Sequence, residues 1–215
     1  ATARQARPQG SDAARRAGRE GHAGTQAPDA ALMRIVGGRL RGKGLVSPAD
    51  LRVRPTSDRV RESLFNILAH NDFGIGFTLE EARVLDLFAG TGALGCEAIS
   101  RGAKWCLFVD ADADSRALQR ENVEALKLTG ATKIWKRDAT DLGPMPGNAG
   151  GPFGLVFCDP PYRKGLTEKA LASARRGGWL APNALIVAET AADEPGLAVE
   201  GFETLDDRVY GETRV

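Results

Sequence analysis

Hydrophobic and polar positions follow three regimes along the chain. Residues 1–32 carry one large aliphatic side chain, Leu32, among Ala, Gly, Arg, Gln and Pro, with no apolar period. Such a segment cannot offset its ordering entropy by burial, so it reads as a disordered tail. Met33 opens the first patterned stretch and is a candidate natural start; whether the tail is native is open.

Residues 33–82 read as a small N-terminal hairpin and helix. Arg34–Gly37 and Gly44–Val46 predict two short strands around Gly38-Arg-Leu-Arg-Gly42. Pro55-Thr-Ser-Asp58 then predicts a helix start, with Ser57 as N-cap and Asp58 and Glu62 near the positive helix end. Val60, Leu64, Ile67 and Leu68 recur at helical spacing and predict one apolar face. Arg59 and Arg61 lie off that stripe, which leaves them free for phosphate or base.

Residues 83–215 alternate. Apolar runs at Arg83–Phe88, Trp105–Asp110, Lys133–Lys136, Leu155–Asp159 and Leu185–Glu189 predict strands. Ala93–Arg101, Ser115–Leu128 and Thr167–Arg176 predict helices between them. That order implies a parallel sheet with helices on both faces. Glu203–Arg208 and Tyr210–Val215 predict an antiparallel hairpin at one edge.

Charge adds a polarity that the total hides. The chain is +1 overall, yet residues 33–70 carry +5 and residues 71–215 carry −6. A basic arm on an acidic body suits a polyanionic partner, although a solvated surface gives the same count. Three scattered cysteines suit neither a disulfide framework nor a metal site, and point to a reducing, cytoplasmic setting. Two histidines exclude a multi-histidine metal centre. No secretory signal and no apolar run long enough to span a membrane is visible.

The candidate chemistry sits at strand ends. Gly90, Gly92 and Gly95 form G-x-G-x-x-G between a strand and a helix. Asp110 follows Gly90 by twenty positions, where a carboxylate accepts ribose hydroxyls. Together they predict a nucleoside-bearing cofactor. Asp86 stands just before the glycine turn. It would repel a pyrophosphate and attract an α-ammonium, which favours S-adenosyl-L-methionine over a dinucleotide. Asp159-Pro-Pro-Tyr162 ends a later strand. Its prolines stiffen the turn and leave carbonyls free. Asp159 and the Pro160 carbonyl can then accept from an exocyclic amino group, while Tyr162 offers a face for a base. Asp138, after the third strand, suits the adenine amino group or a helix N-cap. This chemistry needs no metal. Phe65, Trp105 and Trp179 read as packing residues.

Asp86-Leu-Phe-Ala-Gly-Thr-Gly92 with Asp159-Pro-Pro-Tyr162 resembles the class I S-adenosylmethionine-dependent amino-methyltransferases. From Met33 onward the chain is similar to the RsmD family, the bacterial 16S rRNA guanine-N2 methyltransferases. The likeness is strongest at Met33–Gly42 and at Arg54-Pro-Thr-Ser-Asp-Arg-Val-Arg-Glu-Ser-Leu-Phe-Asn66. It implies a Rossmann-like α/β fold with a seven-stranded, mostly parallel sheet and an antiparallel edge strand. It implies that Asp86, Phe88, Ala89, Gly90, Thr91 and Gly92 surround the methionine half of the cofactor. Asp110 and Ala111 would hold the ribose, and Asp138 and Ala139 the adenine. Asp159, Pro160, Pro161 and Tyr162 would form the catalytic loop. Arg34, Arg39, Arg41, Lys43, Arg54, Arg59 and Arg61 would face 16S rRNA or a small-subunit assembly intermediate. Two departures stand out: residues 1–32 have no counterpart in the family core, and family members often continue past Val215. Nothing in the pattern signals a dimer. A DNA adenine-N6 methyltransferase, and an RNA-binding module with a vestigial pocket, remain open readings.

Overall fold

A computed structural model describes residues 33–48 and 57–215. The tail of residues 1–32 and the arm residues Arg52 and Arg54 lie outside the described residues.

The chain runs through α1 (Asp58–His70), β1 (Arg83–Leu87), α2 (Ala93–Ser100), β2 (Trp105–Asp110), α3 (Ala113–Ala125) and β3 (Thr132–Lys136). It continues through β4 (Phe153–Cys158), α4 (Leu166–Arg176), β5 (Leu180–Ala188), β6 (Thr190–Ala191), β7 (Val209–Tyr210) and β8 (Thr213–Arg214). The first five strands form one parallel sheet in the order β3-β2-β1-β4-β5. The order reverses between β1 and β2 on one side and β4 on the other, which opens a crevice at the carboxyl edge.

Strand residues alternate between two cores, as a sheet covered on both faces requires. Val84, Cys106, Phe108, Leu155 and Phe157 pack on one side with α1, α2 and α3. Leu85, Leu87, Leu107, Val109, Val156 and Cys158 pack on the other with α4 and the buried Trp179. Phe65 and Trp179 are fully buried, in keeping with packing roles. The free cysteines are all buried. Among the described residues no helix is long and apolar enough to cross a membrane.

The edge differs from the expected seven-stranded sheet. β6, β8 and β7 form a separate three-stranded antiparallel sheet. β6 follows β5 after a break at Glu189, so the terminal hairpin joins the chain beyond β5 and not alongside it. The hairpin is tighter than expected. Its strands are two residues long, Glu203–Arg208 is not strand, and Arg208 and Val215 exchange both backbone hydrogen bonds.

Residues 33–48 make a turn and not two full strands. One antiparallel bridge joins Arg34 and Gly44 around a 3-10 turn at Gly38–Leu40. The turn is moored on α2: the Val36 N–H donates to Glu97 Oε2 at 2.8 Å, and Leu40 N–H to Ser100 Oγ at 2.9 Å. The arm's backbone is satisfied partly within itself, Ile35 N–H donating to the Lys43 carbonyl at 2.9 Å and Leu45 N–H to the Met33 carbonyl at 2.7 Å, and partly by these α2 side chains.

The reading of Arg61 is corrected. Arg61 is fully buried, where a phosphate cannot reach it. The buried face of α1 is Arg61, Leu64, Phe65 and Leu68, at i, i+3, i+4 and i+7. The stripe read from Val60 and Ile67 omitted Phe65, and Phe65 rotates the face onto Arg61. Its guanidinium donates to the Arg34 carbonyl at 2.5 Å and to Asp58 Oδ1 at 2.7 Å, and its Nε lies 3.9 Å from the buried Glu97 carboxylate. Arg101 meets the same carboxylate at 2.7 Å. Ser57 caps α1 as expected, accepting from Val60 N–H at 3.3 Å.

Candidate active site

β1 ends in the glycine turn between β2 and β4. Asp86 stands opposite Phe108 of β2 and Phe157 of β4. Phe108 and Phe157 belong to the helix-α2 side of the sheet. Strand parity therefore puts Asp86, Asp110 and Asp159 on that same face, at one edge. Gly90 N–H donates to Asp110 Oδ2 at 2.8 Å, and Asp112 N–H to Asp110 Oδ1 at 2.9 Å. Ala111, next to Asp110, is exposed. Phe88, at the turn's entry, holds a left-handed φ of 56°, a conformation that costs a bulky residue about 1–3 kcal/mol.

The third glycine serves packing. A Cβ on Gly95 would overlap Cys106 Sγ and the Phe108 ring. Its absence lets α2 lie close on β2, so the Gly95 N–H reaches Asp86 Oδ2 at 3.0 Å. Gly92, with φ 77°, turns the chain into α2.

Three acidic side chains share this edge, and burial disfavours the ionised form of each. Burial pushes the Asp86 carboxyl well above its ordinary range; the Gly95 N–H opposes this, while the charges of Asp159 and Asp110 add to it. Burial pushes Asp159 up to about 6. Burial also raises Asp110, against its backbone hydrogen bonds to Asp112 and Gly90. A phosphate at this edge would meet three carboxylates, whereas a cation would relieve their repulsion.

Those residues fit S-adenosylmethionine by donor chemistry. Each Asp110 oxygen accepts one backbone N–H and keeps a lone pair for a ribose hydroxyl. The buried Asp86 gives one oxygen to the Gly95 N–H, and its other oxygen has the charge to accept from an ammonium. Asp138 Oδ1 accepts from Thr140 N–H at 2.8 Å and Thr140 Oγ1 at 2.7 Å, capping the 3-10 turn Ala139–Asp141. The capping role is thus present, and Oδ2 stays available to an adenine amino group. Ala139, the first residue of this turn, is buried.

The second loop leaves β4 next door. Cys158 pairs with Leu87 across the sheet, so Asp159 emerges beside Phe88. Asp159 is half-buried, Pro160 buried and Pro161 exposed. The Tyr162 hydroxyl hydrogen-bonds Thr213 Oγ1 at 3.0 Å. The two strand-end motifs thus occupy neighbouring corners of the carboxyl edge.

Two α3 residues complete the site unannounced by the motifs. The buried Gln119 donates to the Gly90 carbonyl at 3.0 Å. The buried Asn122 donates to the Thr91 carbonyl and to the Val46 carbonyl, both at 3.0 Å, and accepts from Val46 N–H at 2.7 Å. It binds the glycine turn and the arm with one amide. The available signal was polarity at positions that share a helix face with Val123 and Leu126.

The arm cations divide. Arg39, Arg41, Lys43 and Arg59 are exposed and carry no ion pair among the described residues. Arg34 is exposed but pairs with Asp58 at 3.0 Å.

Comparison with known proteins adds a lineage. Residues 33–215 match the family model described as conserved hypothetical protein 95. The Escherichia coli (strain K12) protein named ribosomal RNA small subunit methyltransferase D is 38% identical over 161 residues, covering 75% of this chain and 76% of its own. A Haemophilus influenzae protein of the same name is 35% identical over 180 residues, covering 83% of this chain and 89% of its own. The solved structure of yhhF from Escherichia coli superposes with a TM-score of 0.70 at 34% identity, over 85% of this chain and 94% of that one. With a Rossmann-like methyltransferase fold and both strand-end motifs in place, this chain belongs to the RsmD family.

Proposed function

We propose that this protein methylates the exocyclic N2 amino group of a guanine in 16S rRNA, with S-adenosylmethionine as donor. One observation carries the reading: the glycine turn after β1 and the Asp-Pro-Pro-Tyr loop after β4 are neighbours on one edge. Support for an rRNA substrate comes from the relatives' names and from the exposed cations of the arm. The guanine N2 target rests on the resemblance of the Arg54–Asn66 block and the catalytic loop to the family.

When bound, S-adenosylmethionine supplies an electrophilic methyl group on a sulfonium. The chain's own residues do the rest. Asp86 takes the amino acid's ammonium, Asp110 the ribose and Asp138 the adenine. Asp159 and the Pro160 carbonyl accept the two hydrogens of the base's amino group. An aryl amine is a weak nucleophile because its lone pair is delocalised into the ring; two acceptors on its hydrogens return electron density to nitrogen. They also orient it for in-line attack. Asp159, with its raised affinity for a proton, then takes the proton released by the methylated nitrogen. Tyr162 stacks on the base once it leaves its helix. Arg39, Arg41, Lys43 and Arg59 contact the phosphate backbone. The setting is cytoplasmic, with naked 16S rRNA or an assembling small subunit as partner.

Incubation with isotope-labelled S-adenosylmethionine and small-subunit rRNA or particles tests the reading. Label in N2-methylguanosine is expected; label only in DNA, protein or N6-methyladenosine overturns it.

A further inference from the structure

We propose that Thr213 is a positioning residue for the methyl transfer, holding the Tyr162 ring through its hydroxyl. The inference rests on the reading of Asp159–Tyr162 as the base-binding loop.

The loop has little means of holding itself. Pro160 and Pro161 remove two backbone donors in succession. Arg163, which follows, sits at a left-handed φ of 60°. The anchors come instead from the chain around the small antiparallel sheet. Arg163 N–H donates to Glu194 Oε1 at 3.1 Å, and the Arg163 guanidinium meets both Asp193 oxygens at 3.0 Å. The other Glu194 oxygen accepts from Ala191 N–H at 2.8 Å. Ala191 is the cross-strand partner of Thr213.

Thr213 thus stands on the central strand of that sheet, paired with Ala191 on one side and Tyr210 on the other. Its Oγ1 meets the Tyr162 hydroxyl at 3.0 Å. The hydroxyl is the end of the ring farthest from the backbone. Fixing it removes the ring's swing about χ1 and χ2, so a base meets a stacking face already in place. The same hairpin is braced against α1, where the Tyr210 and Ser63 hydroxyls lie 3.1 Å apart. Neither Thr213 nor Glu194 belongs to a strand-end motif.

The test is a set of variants assayed on full-length protein with 16S rRNA: Thr213→Val, Thr213→Ser, Tyr162→Phe, and Thr213→Val with Tyr162→Phe. Thr213→Val and Tyr162→Phe are each expected to lower kcat about fivefold, the worth of one net hydrogen bond. The double variant is expected to lose no more than either single one. Thr213→Ser is expected to restore turnover relative to Thr213→Val. Affinity for S-adenosylhomocysteine, read by calorimetry, is expected to stay within twofold of wild type, roughly the scatter of an untouched site. Wild-type kcat in Thr213→Val, additive losses in the double variant, or a parallel loss of cofactor affinity overturns the inference. If Thr213→Val does not fold, Tyr162→Phe removes the hydroxyl that bonds Thr213, and wild-type kcat there overturns the inference. A wild-type protein that transfers no methyl group to RNA overturns the reading of the reaction, and the inference with it.

Discussion

The Gly90 N–H donates to the Asp110 carboxylate at 2.8 Å, tying the turn after β1 to the end of β2. Two residues twenty positions apart are thereby parts of one cradle. The turn is held from behind as well, by Gln119 on the Gly90 carbonyl and Asn122 on the Thr91 carbonyl. A cofactor bound in this cradle would meet a backbone already held in place.

Removing that tie should therefore cost binding more than fold. Asp110→Ala is expected to weaken S-adenosylhomocysteine binding about tenfold or more, since charge-assisted hydrogen bonds are lost. Calorimetry reads the affinity, and circular dichroism should show the secondary structure unchanged.

The proposed role of Asp159 predicts a pH dependence. Burial pushes its carboxyl up to about 6, and the proposed acceptor role requires the ionised form. Methyl transfer at saturating cofactor is expected to rise with pH through about 6 and then level off. A rate that is flat from pH 5 to 7.5 would remove Asp159 from the proton's path.

The same shift has a stability consequence of definite sign. A carboxyl whose folded-state affinity for protons exceeds its unfolded one favours folding at low pH and disfavours it as pH rises through about 6. Asp159→Asn removes the charge that burial penalises. The variant is expected to be inactive, yet more stable than wild type by about 1–3 kcal/mol above pH 7, read by urea denaturation.

The arginines of the arm separate into two expected behaviours. Charge reversal at Arg39 and Arg41 should lower RNA affinity, flatten its salt dependence and leave S-adenosylhomocysteine binding intact. Arg61→Ala should instead destabilise the protein by about 2–4 kcal/mol, because its buried guanidinium bonds to the Arg34 carbonyl and Asp58 are lost, and Glu97 keeps only Arg101. Filter binding against ionic strength, with melting curves for each variant, distinguishes the two.

Packing at the third glycine gives a further expectation. Gly95→Ala forces a methyl group into Cys106 and the Phe108 ring. A loss of about 1–3 kcal/mol in stability is expected, with weaker cofactor binding as α2 moves off Asp86.

Much of this architecture was legible in the sequence because both faces of the sheet are covered. Continuous apolar runs marked β1, β2 and β4 to within two residues at either end. The start of β5 was missed: Leu180 to Ala184 includes Pro182 and Asn183, and an outer strand tolerates a proline that a central one does not. The acids at strand ends were legible because ligand chemistry requires them there. Arg61 and Glu97 were not, since a buried ion pair looks like surface until the partner helix is in place. Asn122 escaped for a related reason: its partners, Val46 and Thr91, are backbone atoms far away in the chain.

The most direct measurement is nucleoside mass spectrometry of small-subunit rRNA after reaction with this protein and S-adenosylmethionine carrying a labelled methyl group. The account predicts labelled N2-methylguanosine at a single position, lost in Asp159→Asn. Labelled N6-methyladenosine, or an unlabelled rRNA alongside labelled DNA or protein, would contradict it.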